Sequence, residues 1–265
     1  MTLLGLHHVT ALAGDPRRNL DFYSRLPGMR LVKRTVNFDD PGSYHFYFGA
    51  GNGVPGTLLT FFPWVNARRG VPGAGQIGGV AMALPLAANE QPLADPDGIP
   101  LRFVHGDSPC LRSVTLCQAD AALTVAFLRD VLGLEQAAPN CLELPDGASI
   151  QVQHSPNGKR GKTAAGIVHH VALRVADEEE QLAWRERLVR AGLRVSPVKD
   201  RLYFHSIYFR EPGGVLFEIA TDGPGFQVDE PADKLGERLC LPPWLEPSRE
   251  TIERRLPKFS SAEKL

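Results

Sequence analysis

The chain has 265 residues, enough for one large globular body or two similar halves, so core size does not limit its stability. Hydrophobic residues make up 43% and charged residues 22%, an ordinary soluble balance, and a net charge of -1 supplies no field for holding DNA, RNA or an anionic membrane. A small molecule is the default ligand.

The N-terminal "MTLLGLHHVTALAGDPRR" lacks the basic start and long apolar run of a leader, and no stretch reaches the roughly 18 apolar residues of a membrane span, so a cytoplasmic location is expected. From there a strand over "LHHVTAL" leads to a helix over 15–29 and to strands around "LVKRTVNF", "SYHFYFGA" and "GTLLTFFPW". A second segment opens with "IGGVAMAL" and reaches its closing strand in "DPDGIPLRFVHG" after only "PLAANEQPLA". Pro85, Pro92 and Pro96 interrupt that stretch, so no helix longer than a turn is expected. By comparison with its neighbours this segment lacks about thirty residues of helix and middle strands.

A third segment runs "LRSVTLC" as strand, "DAALTVAFLRDVLGL" as helix, then "NCLELPDG" and "ASIQVQH". The fourth repeats the order of the first: strand "VHHVALRV", a helix over 177–191, then strands near "RVSPVKD", "YFHSIYFREP" and "GVLFEIATD". Acidic residues open the first and last of these helices, complementing the helix dipole, and in the last one Leu182, Arg185, Leu188 and Val189 have the spacing of a one-sided stripe. The C-terminal "PSRETIERRLPKF" reads as a short surface helix capped by Ser248. The pattern is that of an α+β protein built from four βαβββ units, the second cut down to a strand pair. It divides as 1–108 for units one and two, 109–228 for units three and four, and a C-terminal extension over 229–265. Cys110, Cys117, Cys141 and Cys240 show neither CxxC nor zinc-knuckle spacing and read as buried or half-buried thiols.

Of eight histidines, four stand in matched pairs, His7-His8 and His169-His170, on the first strands of units one and four. Strand side chains alternate, so one member of each pair faces inward. If units one and four share a sheet, His8 and His170 meet, while His7 and His169 take the opposite face or the rim. Glu218 is the one charge in "GGVLFEIA", where a bare carboxylate is costly and must be paired, hydrogen-bonded or bound to metal. Two imidazoles and one carboxylate leave open positions on a divalent ion and point to non-heme Fe(II) oxygen chemistry. Thr60 stands in "GTLLTFFP" where Glu218 stands in unit four, which leaves one site rather than two. "GAGNGVPG" runs from strand to strand and lacks the helix N-terminus of a phosphate loop. His45, His105 and His154 follow no pattern and read as surface residues.

These motifs resemble the vicinal-oxygen-chelate (glyoxalase/bleomycin-resistance/dioxygenase) superfamily and, within it, ring-cleaving dioxygenases of the hydroquinone type. The resemblance covers nearly the whole chain and is most specific in "GLHHVT", "HHVALRV", "DRLYFHSIYFREPGGVLFEIATDGPGF" and "LGERLCLPPWLEP". It implies paired open barrels, a metal held by His8, His170 and Glu218, and polar partners at Arg201 and Tyr208, with His7, Thr10 and His169 nearby. Arg201 and Tyr208 are seven positions apart, so a regular strand would separate their faces and one of them belongs in the preceding turn. His205 has the parity opposite to Tyr208.

The activity implied is an Fe(II)-dependent dioxygenase, with Mn(II) as the alternative ion, that opens a hydroquinone or catechol with dioxygen; Tyr208 and either His169 or His7 would move protons. A homo-oligomer is also implied. Two other readings stand beside it. A glyoxalase-type lyase or isomerase on Zn(II), Ni(II) or Mn(II) commonly needs a fourth protein ligand and would find Thr60 in its place. A metal-free protein that sequesters an aromatic compound would be marked by lost ligands, and all three are present.

Overall fold

The structure, a computed structural model, describes residues 1–85, 95–155 and 158–258. Unit one comprises β1 (Gly5–Ala13), α1 (Pro16–Tyr23), β2 (Arg30–Asn37), β3 (Asp40–Gly49) and β4 (Leu58–Pro63). Unit two keeps β5 (Gln76–Leu84) and β6 (Leu101–His105). Unit three has β7 (Cys110–Gln118), α2 (Ala121–Ala126), β8 (Glu135–Ala138), β9 (Cys141–Glu143) and β10 (Ser149–His154). Unit four has β11 (Ile167–Val175), α3 (Glu178–Arg190), β12 (Lys199–Asp200), β13 (Phe204–Arg210) and β14 (Leu216–Pro224), and α4 (Arg249–Arg255) follows in the extension.

First and last strands of every unit run parallel: β1 with β4, β5 with β6, β7 with β10, β11 with β14. A parallel pair needs a crossover, which α1, α2 and α3 provide in the complete units. Unit two retains the parallel outer strands of a βαβββ unit, β5 and β6. Pro85 and residues 95–98 form no helix, as expected, and residues 86–94 lie outside the described residues. Antiparallel pairing of β1 with β11 and of β5 with β7 joins unit one to unit four and unit two to unit three, and a single bridge, Val168 to Ile77, links the two pairs.

The helices correct the sequence reading in three places. Helix α1 starts as expected, with Asp15 accepting from the Arg18 amide and Pro16 at its first turn, but it stops at Tyr23 rather than continuing to residue 29. Pro27 disfavours helical geometry at Leu26, and Gly28 turns the chain at a φ of 74°. In α3 the buried face is Gln181, Trp184 and Leu188, whereas Leu182 and Val189 are half exposed. A polar residue hides the phase of that face: the Gln181 amide donates to the carbonyls of His205 and Ile219, both at 2.8 Å. In α4, Ser248 occupies the cap position without a side-chain cap bond, and Ile252 and Leu256 are buried against Val36 and Leu241 rather than lying on the surface. The strand expected over "RVSPVKD" is reduced to Lys199–Asp200, since Pro197 has no amide hydrogen to give a ladder.

The extension wraps unit one. Cys240 donates its amide to the Arg34 carbonyl at 2.9 Å. Lys33, fully buried on β2, donates to Asp229 Oδ1 and Glu230 Oε2, both at 2.5 Å. All four cysteines are free, Cys240 buried and the others half-buried.

Candidate metal centre

Where β1 crosses β11, His8 lies opposite Ala172 and Thr10 opposite His170. Outward from there, Ala172 pairs with Glu218 on β14 and Glu218 with Tyr208 on β13. On the other side Thr10 pairs with Thr60 on β4 and Thr60 with Tyr47 on β3. Two matching rows result, His8-Ala172-Glu218-Tyr208 and His170-Thr10-Thr60-Tyr47. A pseudo-twofold therefore exchanges His8 with His170 and Glu218 with Thr60, the equivalence read from the repeat. In units two and three the same register places Ser113, Gly79, Arg102 and Gln151 at the corresponding positions, and none supplies an imidazole or carboxylate.

The three candidate ligands converge. His8 Nε2 lies 3.3 Å from His170 Nε2 and 3.3 Å from Glu218 Oε2, and His170 Nε2 lies 2.9 Å from the same oxygen. All three side chains are buried. Adjacent ligands of an octahedral ion at about 2.1 Å stand about 3 Å apart, so this spacing suits one face of a divalent ion. Glu218 Oε1 accepts from the Ser206 hydroxyl at 2.5 Å, while Oε2 has no hydrogen-bond partner.

Proton placement agrees with that fit. The Thr221 carbonyl can only accept, so His7 Nε2, 3.2 Å away, carries a hydrogen. Burial pushes the His7 pKa down to about 3, so its Nδ1 is an acceptor. His8 Nδ1, at 2.9 Å from it, is then the donor, the arrangement that lets His8 Nε2 serve as a metal ligand on the side of His170 and Glu218. His169 and His170 also face each other Nδ1 to Nδ1, at 2.7 Å, and burial likewise brings His169 down to about 3. A cation placed here would meet the His8 and His170 Nε2 atoms and a carboxylate oxygen that has no hydrogen-bond partner.

A cavity of about 290 Å³ opens on this cluster, walled by Phe38, Tyr47, Phe62, Trp64 and Phe204. Arg201 lies in the turn after β12 and donates from Nε to the Tyr208 hydroxyl at 3.2 Å and from Nη2 to Asp39 at 2.8 Å, which resolves their seven-residue spacing. Burial first, then the Glu218 charge, pushes the Tyr208 hydroxyl above its ordinary pKa, so it keeps its proton. His169 lines the cavity; His7 and Thr10 do not, and the Thr10 hydroxyl instead meets Thr60 at 2.7 Å. His205 turns away to Glu178 at 2.9 Å. His105 and His154 are exposed as expected. His45 is not a surface residue: it lines the cavity, with Nε2 3.0 Å from Thr60 Oγ1.

Sequence reasoning missed His45, Tyr47 and Ser206. Their signal was available in the repeat, because aligning Tyr44–Phe48 with His205–Phe209 sets Tyr47 on Tyr208 and His45 on Ser206. A second cluster, Asp229, Glu230 and Cys240, is compact enough to hold an ion, but the Lys33 ammonium fills its centre.

The model of the Glyoxalase/Bleomycin resistance protein/Dioxygenase superfamily matches residues 111–219. The Bacillus subtilis (strain 168) protein named "Putative ring-cleaving dioxygenase MhqO" is 40% identical over 98% of each chain. With this fold and these matches, the chain belongs to the glyoxalase/bleomycin resistance protein/dioxygenase superfamily. Within it the similarity also extends to the "Chlorohydroquinone/hydroquinone 1,2-dioxygenase" of Sphingobium indicum, 30% identical over 95% of each chain. A solved structure of a Bacillus subtilis "putative dioxygenase" superposes with a TM-score of 0.90 at 38% identity, covering 99% of each chain. The MhqO alignment spans 306 positions against 265 residues here, so at least 41 of them (306 less 265) have no counterpart in this chain.

Proposed function

We propose that this chain is a ring-cleaving dioxygenase for hydroquinone-type diols, with Fe(II) held by His8, His170 and Glu218 and Mn(II) as the alternative ion. The observation that carries the reading is the convergence of His8 Nε2, His170 Nε2 and the unpartnered Glu218 Oε2 at 2.9 to 3.3 Å. The names of the full-length relatives support the substrate class. When bound, the metal supplies a common meeting point for the diol oxygen and dioxygen and a route for electrons between them.

The chain's own residues would bind, orient and handle protons. The aromatic walls stack on the ring and exclude water. The Tyr208 hydroxyl, held in place by Arg201, which is itself anchored on Asp39, donates a hydrogen bond to the diol oxygen beside the metal ligands. Of His7 and His169, His169 is the one that faces the cavity, where its ring is placed to exchange a hydrogen bond with the diol. A site with Thr60 in place of a second glutamate keeps positions open and so disfavours the four-ligand lyase reading.

The test is anaerobic loading with Fe(II) followed by oxygen-uptake assays with hydroquinone, chlorohydroquinone, methylhydroquinone and catechol. One dioxygen consumed per ring opened is the expected result; no uptake on any of the four overturns the reading. Tyr208→Phe is expected to keep iron and fold while turnover falls roughly ten- to a thousandfold, with a smaller effect on substrate affinity. If Tyr208→Phe matches the parent while Arg201→Ala or His169→Ala is crippled, proton handling belongs to those residues. Thr60→Glu is expected to add a fourth protein ligand, slowing metal loss to a chelator by roughly tenfold while suppressing oxygen uptake; unchanged metal loss would mean that Thr60 does not face the ion.

A further inference from the structure

His45 stands on β3 two residues before Tyr47, so both side chains share the cavity face of that strand. Its ring packs against Tyr47 and Phe62, with centroids 4.0 and 4.2 Å away. Its Nε2 is pinned 3.0 Å from Thr60 Oγ1, which is itself 2.7 Å from Thr10 Oγ1. The other ring nitrogen, Nδ1, has no hydrogen-bond partner among the described residues, although the ring lines the cavity. A polar atom so placed, in a largely aromatic pocket, has a hydrogen-bonding role to fill.

Resting on the diol-dioxygenase reading above, we propose that His45 Nδ1 binds the substrate hydroxyl remote from the metal, so that the site selects a 1,4-diol over a 1,2-diol or a monophenol. The ring geometry gives the reason. A 1,2-diol carries both oxygens on neighbouring carbons and presents both at the metal end. A 1,4-diol carries its second oxygen across the ring from the first, and an oxygen buried there without a partner comes at a real cost. His45 comes from the Thr60 half of the pseudo-twofold, the half that contributes no charged ligand.

The chemistry of the partner follows from the imidazole. If Thr60 donates to Nε2, Nδ1 carries the hydrogen and donates into the cavity; if Nε2 donates to Thr60, Nδ1 accepts. A hydroxyl can answer either arrangement, since it both donates and accepts. A carboxylate or methoxy group answers only one. The charges at the cavity mouth do not compete for this group, because Lys199 and Arg201 are both engaged by Asp39, at 3.0 and 2.8 Å.

The test is anaerobic binding to the Fe(II)-loaded protein, read by quenching of fluorescence from Trp64 in the cavity wall and by calorimetry, with hydroquinone, catechol and phenol as probes. The parent is expected to bind hydroquinone at least about tenfold more tightly than phenol, the discrimination a site gains from one buried hydrogen bond. His45→Gln can reproduce the Nε2 contact with Thr60 but leaves nothing at the Nδ1 position. It is expected to bring hydroquinone within about threefold of phenol, with phenol affinity and iron content unchanged. His45→Phe, which keeps the ring packing, should behave alike. A parent without preference for hydroquinone over phenol, or a His45→Gln protein that retains the parent's preference, overturns the inference. The diol-dioxygenase reading fails separately, on absence of oxygen uptake by the parent.

Discussion

Replacing His8, His170 or Glu218 singly by alanine is expected to abolish stoichiometric Fe(II) binding and to lower turnover by roughly a thousandfold or more, with the chain still folded. Each residue brings one of three atoms that lie 2.9 to 3.3 Å apart, and among the described residues no fourth carboxylate or imidazole joins that group within 4.8 Å. The losses should differ in kind. Glu218→Ala also strands the Ser206 hydroxyl, whereas His8→Ala removes the partner of His7 Nδ1 as well as a ligand. Iron content after desalting, oxygen-electrode rates and circular dichroism check the three quantities together. A variant that keeps full iron and full turnover removes its residue from the ligand set.

Lys33→Met is expected to cost about 3–5 kcal/mol of stability, the usual penalty for stripping one partner from a buried ion pair. The ammonium is fully buried and bonded to two carboxylates, and Glu230 is itself 3% exposed. Its loss leaves the Glu230 carboxylate with only long contacts, the Gly236 and Arg238 amides at 3.3 and 3.4 Å and the Arg238 guanidinium at 3.8 Å, and loosens the extension from β2. Thermal unfolding should move down by about 10 °C. Adding Glu230→Leu to Lys33→Met should recover part of that loss, because an apolar pair carries no stranded charge. A Lys33→Met protein as stable as the parent would show that the extension is held by its other contacts, among them Ile252 and Leu256, the Cys240 amide on Arg34 and the Arg30 bonds to Ala232 and Leu235.

Much of this molecule was legible because the repeat carries the information twice. The histidine pairs, the isolated glutamate in an apolar strand and Thr60 at the matching place each depend on strand alternation, which a sequence displays directly. The two outer strands of unit two were legible for the same reason, and they pair in parallel as β5 with β6. What escaped notice lies where a polar side chain does an apolar one's work or where a partner comes from far along the chain. Gln181 faces the sheet to satisfy two carbonyls, so the buried face of α3 does not match its hydrophobic pattern. Lys33 sits in an otherwise ordinary strand, and its partners Asp229 and Glu230 come from nearly two hundred residues away, a pairing no local period encodes. His45 looked like a surface histidine because strand parity was applied to units one and four separately and not carried across the pseudo-twofold.

The most direct measurement is anomalous diffraction at the iron edge from crystals of the Fe(II)-loaded protein. One peak is expected, bounded by His8 Nε2, His170 Nε2 and Glu218 Oε2, with no peak near Ser113 and Arg102 in the other half and none beside Lys33. Iron located at the Asp229, Glu230 and Cys240 cluster, or a protein loaded with iron that shows no peak between the two histidines and Glu218, would contradict the assignment of the metal centre.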